Sequence, residues 1–267
     1  MCWSKRHSGA LDTKAATNMY NSKRIAAIIP AHNEAPSIGL VVSELVALRH
    51  AGMPVFEHVV VCDNASSDAT SELASRAGAC VVQEAVPGYG RACLKALSAL
   101  PTLGAVDAVV FVDGDYSVHS DDIPALLDAL AAGNDLVIGA REAALREPGA
   151  LTPHQILGNR LAAWLLRLAW KQPVSDLGPL RVIGYRALQH LHMCEPTFGW
   201  TMEMQAKALA MGLRAAEVPV RTRRRIGKSK VSGTWRGSLG AGWGILSTFA
   251  KVALAGSSHR LRADENG

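Results

Sequence analysis

The chain has 267 residues with a hydrophobic share of 49%, enough to build a sizeable core in one large domain or two small ones. The net charge is +5 and uneven: Arg214, Arg221, Arg223, Arg224, Arg225, Lys228, Lys230 and Arg236 crowd residues 214–236 against Glu217, and such a patch expects an anionic partner. No apolar run reaches the ~18–20 residues a membrane span needs, so no spanning helix is expected within it.

The N-terminal residues 1–23 are polar, lack periodicity and have no apolar h-region, so they are expected to be loose and not a signal peptide. Met19 offers an alternative start. Beyond them, apolar runs and helical patterns alternate. "RIAAIIP" (24–30) reads as a buried strand. "PSIGLVVSELVALRHAG" follows with helical spacing and a glycine stop at Gly52. "EHVVVCD" (57–63) is the next strand, and "SSDATSELASRAG" a helix capped by Ser66, Ser67 or Asp68 and ended at Gly78. "ACVVQE" is a third strand. "VPGYGRA" opens a helix to about Leu100, "DAVVFVD" (107–113) is a fourth strand, "SDDIPALLDALAAG" a helix and "DLVIGAR" (135–141) a fifth strand.

Past Arg141 the pattern loosens. Residues 154–170 have helical spacing. "SDLGPLRVIGYRAL" reads as turn, short strand and helix start, "GWTMEMQAKALAMG" as a helix, "RAAEVPV" as a strand. After the basic run, Leu239, Trp243, Leu246, Ala250 and Ala253 make one helical stripe. It suits either a membrane interface or a helix packed on the core. Strands alternating with helices imply an α/β fold, a mostly parallel sheet with helices on both faces. The five cysteines are odd in number with no CxxC pair, so a reduced, cytoplasmic chain is the simplest reading.

In such a sheet, ligands bind beyond the carboxyl ends of the strands. Three polar clusters fall there: "AHNE", "DNASSD" and "DGD". Asp113 and Asp115 put two carboxylates on a tight turn, a hard-oxygen pair that suits Mg²⁺ or Mn²⁺ or else a solvated turn. Asp121 and Asp122 precede a helix, with Pro124 in its first turn, and read as a helix start near the positive dipole end. Asp63 ends an apolar strand and is free to accept hydrogen bonds from a base or ribose. Glu203 lies four before Lys207, a helix salt bridge. His32, His119 and His154 show no ligand spacing.

Taken together, "IIPAHNE", "VVVCDNASSDAT", "PGYGRA", "VFVDGDYS" and "IGAR" stand in the order typical of family 2 nucleotide-sugar glycosyltransferases. "SDLGPLR", "GWTMEMQAKALAMG" and "EVPVRTRRRIGKSKVSG" resemble the later section of dolichyl-phosphate mannosyltransferase-like members. The resemblance implies a Rossmann-like GT-A domain over residues 24–236, with a nucleotide-sugar half (24–141) and an acceptor half (142–236), followed by an amphipathic helix and polar tail (237–267). It implies that Pro30, Ala31, Asn33 and Glu34 line the nucleotide pocket, Asp63 holds the base, and Asp113 and Asp115 hold Mg²⁺ or Mn²⁺ on the donor diphosphate. Arg141 would face donor phosphates or the acceptor. Asp176 and Arg181 fall in the acceptor motif, with Asp176 the candidate base for an alcohol. Arg224, Lys228, Ser229 and Lys230 would sit near phosphate charge.

The expected reaction is therefore a metal-dependent, inverting transfer from a nucleotide-sugar to a polyprenyl phosphate, by an enzyme peripheral to the cytoplasmic membrane face. The competing readings are a saccharide or other hydroxyl acceptor in cell-envelope glycan synthesis, an idle nucleotide-sugar binding protein, and a nucleic-acid binder. Aromatics that could stack bases are scarce near the basic run, so nucleic acid is not expected.

Overall fold

The structure is a computed structural model that describes residues 20, 22–227 and 235–264. Its first element, β1 (Ile25–Ala31), is buried along its whole length. Then come α1 (Ala35–Ala47), β2 (Arg49–His50), β3 (Met53–Pro54), β4 (His58–Asn64), α2 (Thr70–Arg76), β5 (Cys80–Glu84), α3 (Tyr89–Leu103), β6 (Ala108–Phe111), α4 (Ile123–Ala131) and β7 (Leu136–Ala140). The second half adds α5 (Pro153–Trp170), β8 (Arg181–Gly184), α6 (Tyr185–His190), α7 (Trp200–Ala210), β9 (Ala215–Pro219) and α8 (Trp235–Asp264).

Seven strands form one sheet in the order β5-β4-β1-β6-β8-β7-β9. All neighbours run parallel except β8, which is antiparallel to both β6 and β7. The short strand read in "LRVIG" is thus inserted between two strands of the first half, so the two halves share one sheet. Alternation along β1 feeds two cores. Ile25, Ala27 and Ile29 face Ile38, Val42 and Leu45 of α1 and Leu126 of α4. Ala26 and Ile28 face Ala92, Cys93 and Ala96 of α3 and Trp200 and Met204 of α7. A third cluster joins Ala162, Ala163 and Leu166 of α5 to Met202 and Ala206 of α7.

Several expectations change. The first helix stops at Ala47, and residues 49–54 form a β2–β3 hairpin instead of carrying the helix to Gly52. Ala51 and Gly52 both have positive φ (48° and 79°), which a two-residue hairpin turn twisted like its strands requires. The loose N-terminal segment expected through residue 23 is anchored at Tyr20, which is buried and donates its hydroxyl to Asp128 Oδ1 at 2.7 Å. Asp121 and Asp122 stand at the start of α4, as read from the sequence, but Asp122 makes no cap hydrogen bond. It accepts instead from the Arg221 backbone N–H at 2.8 Å and from Arg221 Nε at 2.9 Å. The polar tail expected after the last helix is helical as far as Asp264. Cys62, Cys93 and Cys194 are free thiols, in line with a reduced chain at those positions.

One contact ties the halves together near the ligand rim. At the start of α3, the Arg91 N–H donates to Pro196 O at 2.9 Å and the Gly90 N–H to Thr197 O at 3.2 Å. A Cβ on Gly90 would lie 1.9 Å from Glu195 O. Main chain cannot yield there as a flexible side chain would. Gly90→Ala is expected to destabilise the fold by about 3 kcal/mol, read as a lower urea midpoint at unchanged m-value.

Candidate active site

Strands β1, β4 and β6 end side by side, and their carboxyl ends carry the three polar clusters. Ala31 is the register partner of Asp63. Asn33 takes a positive φ of 52°. Its N–H donates to Ser66 Oγ at 2.9 Å, and its Oδ1 accepts from the Ser67 N–H at 2.8 Å. Asp63 is buried and accepts from the Ser66 N–H at 3.2 Å. These bonds fold "AHNE" and "DNASSD" against each other as one wall. Asp68 links the same loops, accepting from the Ala35 N–H at 3.2 Å and the Thr70 N–H at 3.0 Å. Pro30, Ala31, Asn33, Glu34 and Asp63 are therefore gathered at one place, as a nucleotide pocket would need.

The "DGD" turn sits beside that wall. Asp113 Oδ1 accepts the Tyr89 hydroxyl at 2.9 Å. Burial, then the neighbouring charge of Asp115, raises the Asp113 pKa to about 6. Asp115 accepts from the Ser117 N–H at 3.0 Å and the Ser117 hydroxyl at 2.6 Å. Its other oxygen lies 3.3 Å from Arg225 Nη1. The same guanidinium reaches Glu34 Oε1 through Nη2 at 3.1 Å. So a protein cation balances the acidic rim.

Arg225 has this position because residues 222–226 run extended between two loops. Arg223 N–H donates to Ser117 O and Ile226 N–H to Asp115 O on one side; Thr222 exchanges bonds with Leu145 and Glu147 on the other. Alternate side chains of an extended segment point to opposite sides. Arg223 and Arg225 thus turn to the "DGDY" turn, with Arg223 stacked 3.3 Å above the Tyr116 ring and bonded to Glu44. Arg224 points the other way: its Nε donates to Pro148 O and its N–H to Glu147. The geometry gives the rim Arg225 in place of the Arg224 named from the sequence motif. Period-2 alternation through "RTRRRIG" would have separated the two arginines had an extended run been recognised. Lys228, Ser229 and Lys230 lie outside the described residues.

Arg141 and Asp176 meet in an ion pair that the sequence did not disclose. Arg141 donates Nε to Asp176 Oδ2 at 2.8 Å, Nη2 to Oδ1 at 2.7 Å and its backbone N–H to Oδ2 at 2.8 Å. Burial by itself would raise the Asp176 pKa, but the hydrogen bonds and charge of Arg141 outweigh it and hold the carboxyl below its ordinary value. Asn159 of α5 extends the cluster, accepting from the Leu177 N–H at 2.9 Å and lying 3.4 Å from Arg141 Nη2. Arg181 is fully buried. Its Nε donates to Gly178 O and its Nη1 to Thr201 O, while Nη2 is left without a partner. Burial lowers its pKa to about 10. Buried and bonded to main chain, it does not present an exposed guanidinium as the acceptor contact expected from the motif. Glu203 pairs with Lys207 at 2.7 Å, as its spacing implied.

Among the described residues no group of three or more His, Cys, Asp or Glu side chains could enclose a metal. The donor set that does exist is two carboxylates on one turn, and that fits Mg²⁺ or Mn²⁺, which usually take their remaining ligands from substrate phosphates and water. Arg225 marks the same spot as one that attracts positive charge. Removing its competition by Arg225→Met is expected to tighten Mn²⁺ binding to the donor-free protein roughly tenfold, measured by the loss of the free Mn²⁺ spin-resonance signal. It should also lower turnover.

Comparison with known proteins agrees with this geometry. The model described as "Glycosyl transferase family 2" matches residues 26–187. An uncharacterized glycosyltransferase of Mycobacterium tuberculosis is 35% identical over 218 residues, covering 80% of this chain and 93% of its own. A dolichyl-phosphate hexose transferase of Haloferax volcanii is 27% identical over 245 residues, covering 91% and 98%. The fold resembles glucosyl-3-phosphoglycerate synthase from Mycobacterium tuberculosis, solved with Mn²⁺, uridine diphosphate and phosphoglyceric acid. The TM-score is 0.67 at 21% identity, over 86% of this chain and 78% of that one. The sheet, the clustered strand ends and the matched residues make this chain a GT-A enzyme, and it belongs to glycosyl transferase family 2.

Proposed function

We propose that this glycosyltransferase moves a sugar from its nucleotide-sugar donor to a polyprenyl phosphate, with a divalent cation on the donor diphosphate. The observation that carries the acceptor is the state of Asp176. An alcohol acceptor needs a general base. Asp176, the candidate for that task, is locked by Arg141 and held below the ordinary carboxylate pKa, which makes it a poor proton acceptor. A phosphate acceptor is already anionic and needs no base; it needs cations, which the segment carrying Arg223 and Arg225 supplies beside the rim. Relatives named dolichyl-phosphate hexose transferase and polyprenol monophosphomannose synthase support the same reading.

In this reading the loops at 31–34 and 63–66 hold the nucleoside, with Asp63 accepting from the base. Asp113 and Asp115 would hold the divalent ion, which when bound supplies charge neutralisation of the leaving diphosphate. Arg141 is oriented by Asp176 toward the phosphates. Arg225 gives up Glu34 and Asp115 as the donor arrives and becomes free to pair with phosphate oxygen. An acceptor phosphate oxygen then forms a bond to the anomeric carbon on the face opposite the diphosphate, while the bond from that carbon to the diphosphate oxygen breaks. The configuration inverts. The chain works peripherally at the cytoplasmic membrane face, where such a lipid phosphate is found.

The test is a donor screen with Mg²⁺ or Mn²⁺ against three acceptors: a short polyprenyl phosphate, its free alcohol and a saccharide. Released nucleotide and glycolipid are measured. Glycolipid from the phosphate and none from the alcohol is expected. Transfer to the saccharide or the alcohol without transfer to the phosphate overturns the acceptor assignment. Nucleotide-sugar binding without release in any arm would favour the idle binder.

A further inference from the structure

Helix α5 exposes an apolar stripe on the side away from the protein. Leu157 is 70% exposed, Leu161 47%, Trp164 50% and Leu168 63%. The spacing 157, 161, 164, 168 places all four on one face. The opposite face already has its partner: Ala162, Ala163 and Leu166 are buried on α7, and Trp170 stacks edge-on to Phe249 of α8 at 5.8 Å. The stripe is therefore not a core surface awaiting a neighbouring element of the described chain.

Its charge pattern says what covers it. No acidic residue occurs between Pro153 and Lys171, and Arg160, Arg167 and Lys171 are exposed along one border of the stripe. A second copy set symmetrically on this face would bring those cations together. A bilayer with anionic headgroups meets both features, taking the leucines and the tryptophan at the acyl boundary and pairing the cations with lipid phosphates. The stripe spans about 16 Å at the helical rise, which suits a helix lying flat. No helix among the described residues is long and apolar enough to cross a membrane.

The sequence left the stripe on α8 open between a membrane interface and packing on the core. That helix does expose Trp243 (75%) and Leu254 (70%) and packs through Ile245, Phe249 and Val252. Leu239 of the expected stripe has no described side chain. Helix α5 is the stronger surface because it is linked to the site. Asn159, on its inner face, accepts from Leu177 and lies beside Arg141.

We infer that α5 is an interfacial helix that seats the enzyme on anionic phospholipid, with Leu157, Leu161, Trp164 and Leu168 as the apolar contacts and Arg160, Arg167 and Lys171 as the headgroup contacts. This deepens the peripheral-membrane reading above and rests on it. The full chain is floated with vesicles of phosphatidylcholine, with and without phosphatidylglycerol. Wild type should bind the phosphatidylglycerol vesicles preferentially. Leu161→Glu/Trp164→Glu should lose roughly tenfold or more in that affinity, with unchanged circular dichroism and unchanged transfer to a detergent-dispersed short acceptor. Arg160→Gln/Arg167→Gln should lose the preference for phosphatidylglycerol. Failure of the wild type to bind either vesicle overturns both the inference and the peripheral reading. Unaltered binding by the α5 variants, with loss in Trp243→Glu/Leu254→Glu, overturns the inference and leaves the peripheral reading standing. A concentration-dependent dimer in light scattering that Trp164→Glu dissolves, without vesicle binding, assigns the face to a second copy and also overturns it.

Discussion

Asp115→Asn is expected to lower sugar transfer about a thousandfold, or about 4 kcal/mol of transition-state stabilisation, with the fold intact. The substitution keeps an oxygen for the Ser117 hydrogen bonds that shape the turn. What it removes is charge. Arg225 keeps Glu34 as a partner, so no cation is stranded. Asp113 is relieved of the neighbouring charge that helps raise its pKa to about 6. Stability should therefore change little, and denaturant unfolding measured beside turnover separates the two effects. Unchanged turnover would remove Asp115 from the metal and donor site.

The second large effect is expected at Asp176. Asp176→Asn breaks a buried pair and leaves Arg141 without its counter-charge, so unfolding free energy should fall by about 3 kcal/mol. The sign with pH follows from the direction of the shift. Asp176 has a folded pKa below its unfolded value, so its stabilisation is present above the unfolded carboxylate range, near ~4, and is lost as pH falls through the folded pKa. Wild type and Asp176→Asn should converge in stability in acid and diverge above it. If Asp176 positions Arg141, the residual activity of Asp176→Asn keeps the wild-type pH profile, and Arg141→Gln adds little further loss. A pH profile that loses its acidic limb in Asp176→Asn would restore the general-base role and with it a hydroxyl acceptor.

The two arginine readings show how far spacing carries. "DGD" after an apolar strand was legible because the strand ends where its apolar run ends, and a parallel sheet brings such ends together. "RTRRRIG" was legible as positive charge but not as direction. Whether Arg224 or Arg225 faces the carboxylates depends on the register of an extended segment against Ser117 and Asp115, and register is a long-range property. The same limit applies to β8. "LRVIG" reads as a strand, but its antiparallel insertion between β6 and β7 is set by which sheet edge remains open once the other strands have paired.

The sequence by itself determined the α/β alternation, the strands that form the sheet and the polar clusters at their ends. Each follows from local apolar periodicity and from turn chemistry within a few residues. Only the tertiary structure decided that Arg225 neutralises Asp115, that Arg141 locks Asp176, and that α5 leaves a leucine and tryptophan stripe uncovered. Those depend on partners 35 to 110 residues apart, and no local pattern encodes which of several like-charged or apolar residues reaches a distant partner first.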